Sequence, residues 1–202
     1  MVTYPGLPGP QIGEHLSFDD SADHYAPGTE FSIGRIAMVA NTGTYLDTPA
    51  HRFRESSDLS GLPLEHCALL PAVVVDGNRG IGPEAFAEVQ CEGMAVLLRT
   101  GWDRHWRSDR YGDPTHPHLT EDGARVLADR KACLVGIDSV NIDDTHTGHR
   151  PAHTILLGAG IPVVEHLTGL GSLPTTGARF SAVPPAIRGL ATFPVRAFAI
   201  VP

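Results

Sequence analysis

The chain has 202 residues, 42% of them hydrophobic and 19% charged, with a formal net charge of -8, a balance that suits one folded domain and not a disordered polymer. Its Lys and Arg residues form no basic run, so no footprint of the kind that tracks nucleic-acid phosphates is visible. The longest apolar stretches, Ala68 to Val75 and Ile155 to Val164, are too short or too broken by Gly and Pro to span a bilayer, and Met1-Val2-Thr3-Tyr4-Pro5-Gly6 lacks the features of a secretory signal, so a cytoplasmic location is expected.

In chain order, Phe31 to Ala40 predicts a strand leading into Asn41-Thr42-Gly43-Thr44. Ala68 to Asp76 is a continuous apolar run closed by Asp-Gly, the pattern of a strand buried on both faces, and Met94 to Arg99 and Cys133 to Ile137 read the same way. Between them Pro83 to Val89 and Thr120 to Arg130 read as helices, the second with Thr120 as N-cap and acidic residues in its first turn. Gly158-Ala159-Gly160-Ile161-Pro162 suits a helix end feeding a strand through Glu165, and Ala191 to Val201 a closing strand. Strands alternating with helices, without repeat or linker, predict a single α/β domain over residues 1–202 with a mixed β-sheet. Cys67, Cys91 and Cys133 have no paired spacing and read as buried thiols.

Two stretches concentrate chemistry. In an extended Asn41-to-His51 segment, Asn41, Tyr45, Asp47 and His51 share one face by period two, with Gly43 permitting close approach and Pro49 stiffening the chain. Each also has a bland reading: an Asx turn at Asp47, turn capping by Asn41, core packing of Tyr45, an ordinary hydrogen-bonded His51. Downstream, Asp138 ends a predicted strand, His146 and His149 sit in a polar loop that suits solvent, His153 opens a helix-like stretch, and Glu165 follows an apolar run where a buried carboxylate needs a partner. Phe53, Trp102, Trp106 and Tyr111 suit either an aromatic pocket or the core.

The first stretch resembles the signature H-x-G-T-H-x-D-x-P-x-H of bacterial kynurenine formamidases, isatin hydrolases and related cyclases. His153 with Glu165 falls where that family keeps its downstream ligand pair, and Leu98-Arg99-Thr100-Gly101-Trp102, Val135-Gly136-Ile137-Asp138-Ser139 and Asp143 match further. Asn41 and Tyr45 stand where the family has its first two motif histidines. The family's usual first strand, ahead of the Tyr-Pro-Gly stretch, has no counterpart upstream of Tyr4-Pro5-Gly6; either that strand is missing or the start was misassigned.

The resemblance implies a swivelling β/β/α cyclase fold, a homodimer or homotetramer with loops such as residues 104–118 at an interface, and hydrolysis of a small amide, formamide or lactam by a metal-activated water. Asp47, His51, His153 and Glu165 are the implied ligands, enough for one divalent ion of zinc or manganese type; His51 and Glu165 are also acid–base candidates, and Asn41 and Tyr45 substrate contacts. Two other readings stay open: a metal-independent cyclase, dehydratase or isomerase using His51, Glu165 and Tyr45, and a non-catalytic small-molecule-binding homologue.

Overall fold

The computed structural model describes residues 9–202, so Tyr4-Pro5-Gly6 lies outside it. The elements run β1 (Gln11–Leu16), α1 (Phe18–Ala22), β2 (Ile33–Ala37), β3 (Tyr45–Asp47), β4 (Leu70–Asp76), β5 (Gly80–Ile81), β6 (Ala95–Arg99), β7 (His118–Leu119), α2 (Glu121–Asp129), β8 (Leu134–Ile137), α3 (Pro151–Gly158), β9 (Val163–Glu165), β10 (Thr176–Ser181), β11 (Thr192–Pro194) and β12 (Phe198–Ile200). An eight-stranded sheet has the order β11-β3-β9-β8-β6-β4-β10-β12. Its middle is parallel, from β4 through β6 and β8 to β9, and the two strands on either side are antiparallel.

The central strands are the continuous apolar runs, and alternation sorts their side chains onto two faces. Val73, Val75, Val96, Leu98, Val135 and Ile137 pack beneath α2 and α3 with Leu127 and Leu156. Ala72, Val74, Ala95, Leu97 and Leu134 pack on the opposite face with Leu167, Leu170 and Phe180. Helix α2 begins as its sequence requires: the Thr120 hydroxyl accepts from the Gly123 amide at 3.1 Å, with Glu121 and Asp122 in the first turn.

Four expectations change. The strand expected over Phe31 to Ala40 is only Ile33–Ala37 and pairs with β1 in a separate two-stranded hairpin, leaving the motif to form β3 itself. Pro83 to Val89 yields only a 3-10 turn over Pro83–Phe86, because one turn suffices to bury Phe86. The tail from Ala191 to Val201 is not one strand, since β11 bonds to β3 at one sheet edge and β12 to β10 at the other. Its middle crosses the second core with Val195 and Ala197. Asp138, expected among functional groups at a strand end, is a buried staple whose carboxylate accepts from the Thr100 amide (2.8 Å), the Thr100 hydroxyl (2.5 Å) and the Gly101 amide (2.9 Å).

Cys67 and Cys91 are buried and Cys133 half-buried, all unpaired, and burial pushes the Cys67 thiol up to about 11. Among the described residues no helix is long and apolar enough to cross a membrane. Leu97 is fully buried at the centre of the sheet, so Leu97→Ala is expected to lower unfolding stability by about 3 kcal/mol in urea titration.

Candidate metal centre

The site is built by strand register. In the antiparallel pair β3–β9, Tyr45 lies directly opposite Glu165, and in the pair β11–β3, Thr192 lies opposite Asp47. Directly opposed residues share a face, so Tyr45, Asp47, Glu165 and Thr192 project together. Gly43, at φ 74°, supplies the left-handed turn that leads into β3. His51 does not continue the extended run: it sits on a 3-10 turn over Pro49–His51, yet that turn returns its Nδ1 to 3.6 Å from Asp47 Oδ1. His153 comes from the first turn of α3, which Asp143 caps by accepting from the Ala152 amide (2.6 Å) and the His153 amide (3.1 Å).

Hydrogen bonds fix how these groups present themselves. The Thr192 hydroxyl has one proton and donates it to Asp47 Oδ1, so its 3.0 Å contact with His51 Nδ1 makes that nitrogen a donor and leaves the lone pair on Nε2. His153 Nδ1 donates to Asp143 Oδ2 at 2.6 Å, which turns Nε2 toward Asp47 Oδ2 and Glu165 Oε1, each 3.6 Å away. Glu165 accepts from the Tyr45 hydroxyl and from the Ile142 amide at 2.6 Å. Asp47, His153 and Glu165 are buried, while the His51 side chain is 41% exposed and forms the solvent side of the cluster.

Burial alone would depress the His153 imidazolium, but Glu165, Asp143 and Asp47 outweigh it and hold the group up at about 10. Burial likewise pushes the Glu165 carboxyl up to about 7, against the pull of His153. Asp47 Oδ2 is buried with no hydrogen-bond partner. Such an atom calls for a cation.

The donor set fits a divalent ion. Asp47, His51 and His153 each offer a ligand atom, all within 4.8 Å of one another. The 3.6 Å between His153 Nε2 and Asp47 Oδ2 is too long for a hydrogen bond but close to the ~3.3 Å between two ligand atoms that share one ion at about 2.0 Å each. Glu165 stands beside this group with both oxygens already accepting from protein donors. Asn41 is half-buried in the turn before β3 and makes no side-chain hydrogen bond to the others. His146 and His149 are exposed, as their loop suggested.

Two contributors escaped the sequence reading. Thr192, in the tail, orders Asp47 and His51. His166, next to Glu165, is buried at φ 58° among the rings of Tyr45, Trp106 and Tyr111, with centroids 5.2, 5.5 and 5.6 Å away. Its Nδ1 lies 3.0 Å from the Tyr111 hydroxyl, and burial pushes its imidazole down to about 3. The aromatic residues considered as pocket lining divide: Trp102 and Tyr111 are core, Phe53 packs on the helix-side core, and Trp106 lines a cavity of about 410 Å³ with Gly43, Thr44, Thr168 and Arg196.

The imidazolium gives a signature of the metal-free protein. Up to about 10 the folded chain keeps a proton that the unfolded chain releases above its ordinary 6.5; this stabilisation is complete below 6.5 and lost as pH rises through about 10. The urea midpoint of metal-free protein is expected to fall from neutral pH toward 10, and His153→Gln to flatten that fall.

The family model described as "Putative cyclase" matches residues 5–144. The kynurenine formamidase of Salinibacter ruber is 31% identical over 170 residues, covering 82% of this chain and 78% of that protein. Among solved structures, isatin hydrolase A from Labrenzia aggregata superposes with a TM-score of 0.78 at 25% identity, covering 100% of this chain and 88% of that one. A "potential metal-dependent hydrolase with cyclase activity" gives 0.72 at 25% identity over 94% and 96%. With its eight-stranded mixed sheet and an Asp47–His51–His153 centre at the β3–β9 seam, the chain belongs to the cyclase family.

Proposed function

We propose that the protein hydrolyses the C–N bond of a small aryl formamide or lactam, with one zinc or manganese ion held by Asp47, His51 and His153. The observation that carries this reading is the buried, unpartnered Asp47 Oδ2 facing His153 Nε2. The names of the relatives supply the reaction class: a kynurenine formamidase and an isatin hydrolase. An ion bound there supplies carbonyl polarisation and acidifies water. Glu165, raised by burial toward neutrality, takes the proton of the attacking water and passes one to the leaving nitrogen, while the Tyr45 phenol holds its second oxygen in place. Water adds to the carbonyl carbon, the C–N bond breaks, and a carboxylic acid and an amine result.

EDTA-stripped protein is expected to lose at least about 100-fold in turnover of an aryl formamide and to regain it with zinc or manganese. Asp47→Asn is expected to bind zinc about 100-fold more weakly in competition titration and to regain nothing. Turnover undiminished in excess EDTA would instead assign the reaction to His51, Glu165 and Tyr45 without a metal. Ligand binding without turnover would make the protein a binding homologue.

We also infer a second copy of the chain as its partner. Among the described residues the β1–β2 hairpin pairs only with itself, and its directly opposed Ile12 and Ile36 are 74% and 62% exposed. A lone two-stranded hairpin with an apolar face is marginal in water. Around it stand Glu14, Asp19, Asp20, Asp23 and Glu30 against a single Arg35, whereas residues 166–202 contain Arg179, Arg188 and Arg196 and no acidic residue. At the β10–β12 edge Arg179 lies opposite Ile200, and Phe198 and Ile200 are exposed, so this edge is the basic, apolar counterpart offered to the hairpin in a two-fold dimer. Light scattering is expected to give twice 21.5 kDa, and Ile12→Asp with Ile36→Asp a folded monomer; a monomeric wild type would overturn the inference.

A further inference from the structure

The loop between β8 and α3 reaches the metal centre twice, through the Ile142 amide on Glu165 and the Asp143 carboxylate on His153. It has no regular secondary structure, so something other than a ladder must hold it. One imidazole spans it. His116, 1% exposed, places Nδ1 3.0 Å from the Ser139 hydroxyl and Nε2 3.0 Å from the Thr145 hydroxyl, gripping the loop on both sides of Ile142 and Asp143. Nδ1 is also 3.0 Å from the Pro117 carbonyl, which only accepts, so Nδ1 carries the proton and Nε2 accepts from Thr145. The same strip of chain donates the Leu119 amide to the Ile142 carbonyl at 2.8 Å, and the Ser139 carbonyl in turn accepts from the His166 amide at 3.2 Å.

We propose that His116 is a positioning residue of the site: by bridging Ser139 and Thr145 it fixes the loop that aims Glu165 and orients His153. The proposal rests on the reading of Asp47, His51 and His153 as ion ligands, but the clasp itself is a property of the metal-free chain. Asp143 orients His153 directly, as partners that set metal affinity by about one to two orders of magnitude do, and His116 acts on it through the loop. His118, its ring 6.3 Å away, and Asp144 and His146 on the loop surround the clasp without replacing either bond.

The test is hydrogen exchange on metal-free protein. His116→Ala is expected to speed exchange of the Ile142 amide about tenfold, while amides of β4, β6 and β8 keep wild-type rates. Zinc affinity should fall about 10-fold to 100-fold, the visible spectrum of the cobalt-loaded protein should shift, and kcat should fall with little change in KM. His116→Gln, whose amide reaches the Nε2 position, should recover part of each. Should His116→Ala fail to fold, Thr145→Val and Ser139→Ala each cut one end of the clasp and should give intermediate effects. Wild-type exchange at Ile142 in these variants would overturn the proposal. A protein that binds no zinc but exchanges faster at Ile142 would instead overturn the metal reading and leave the clasp standing.

Discussion

Three buried carboxylates converge on one imidazole, and the rest of the site is arranged to make that tolerable. Asp47, Asp143 and Glu165 are all withdrawn from water around His153, a distribution that costs far more than it returns unless each charge is matched. Asp143 is satisfied by the first turn of α3, Glu165 by Tyr45 and Ile142, and Asp47 on one oxygen by Thr192. What remains is Asp47 Oδ2 and a positive charge still demanded between it and Glu165. A proton on His153 meets that demand in the metal-free chain. A divalent ion would meet it by displacing the proton, which couples metal binding to pH.

The position of Tyr45 bears on how Glu165 is held. It stands where the resembled signature has a histidine, and its phenol is spent on a Glu165 oxygen directly across the β3–β9 ladder. The phenol donates its hydrogen bond to the carboxylate, which stabilises that buried negative charge without removing it. Exchanging a neutral imidazole for a neutral phenol leaves the charge of the site unchanged and trades a lone-pair donor for a hydrogen-bond donor, so Tyr45 orients Glu165 where the resembled signature has a histidine. His166, a neutral imidazole walled by Tyr45, Trp106 and Tyr111, adds no charge to that balance.

Sequence periodicity made the frame legible because burial on both faces writes itself as an uninterrupted apolar run: Leu70–Asp76, Ala95–Arg99 and Leu134–Ile137 stand within two residues of their expected limits. The Thr120 cap was legible for the same local reason. Asp47, His51 and His153 were found as candidates, and they meet. Thr192, His166 and His116 were not, since a threonine in an apolar tail, or a histidine beside a carboxylate, has no local pattern that sets it apart; only pairing across more than a hundred residues gives Thr192 its role. The tail misled for a related reason: Thr192–Pro194 and Phe198–Ile200 each look like β-strand, and nothing local says that they bond to opposite edges.

The division of labour between frame and loop follows from what each kind of force can specify. Hydrophobic packing of Val96, Leu97 and Val135 is non-directional and holds strands to within the tolerance of a core, which is enough to set register. Register then places Tyr45, Asp47, Glu165 and Thr192 without further help. The residues that tune them, Ile142 and Asp143, lie on backbone without a helix or strand ladder, although the Ile142 side chain is buried in the helix-side core. There the structure turns to directional bonds from buried side chains, His116 to Ser139 and Thr145 and Asp138 to Thr100 and Gly101, because an unmade buried hydrogen bond penalises every alternative placement of the loop.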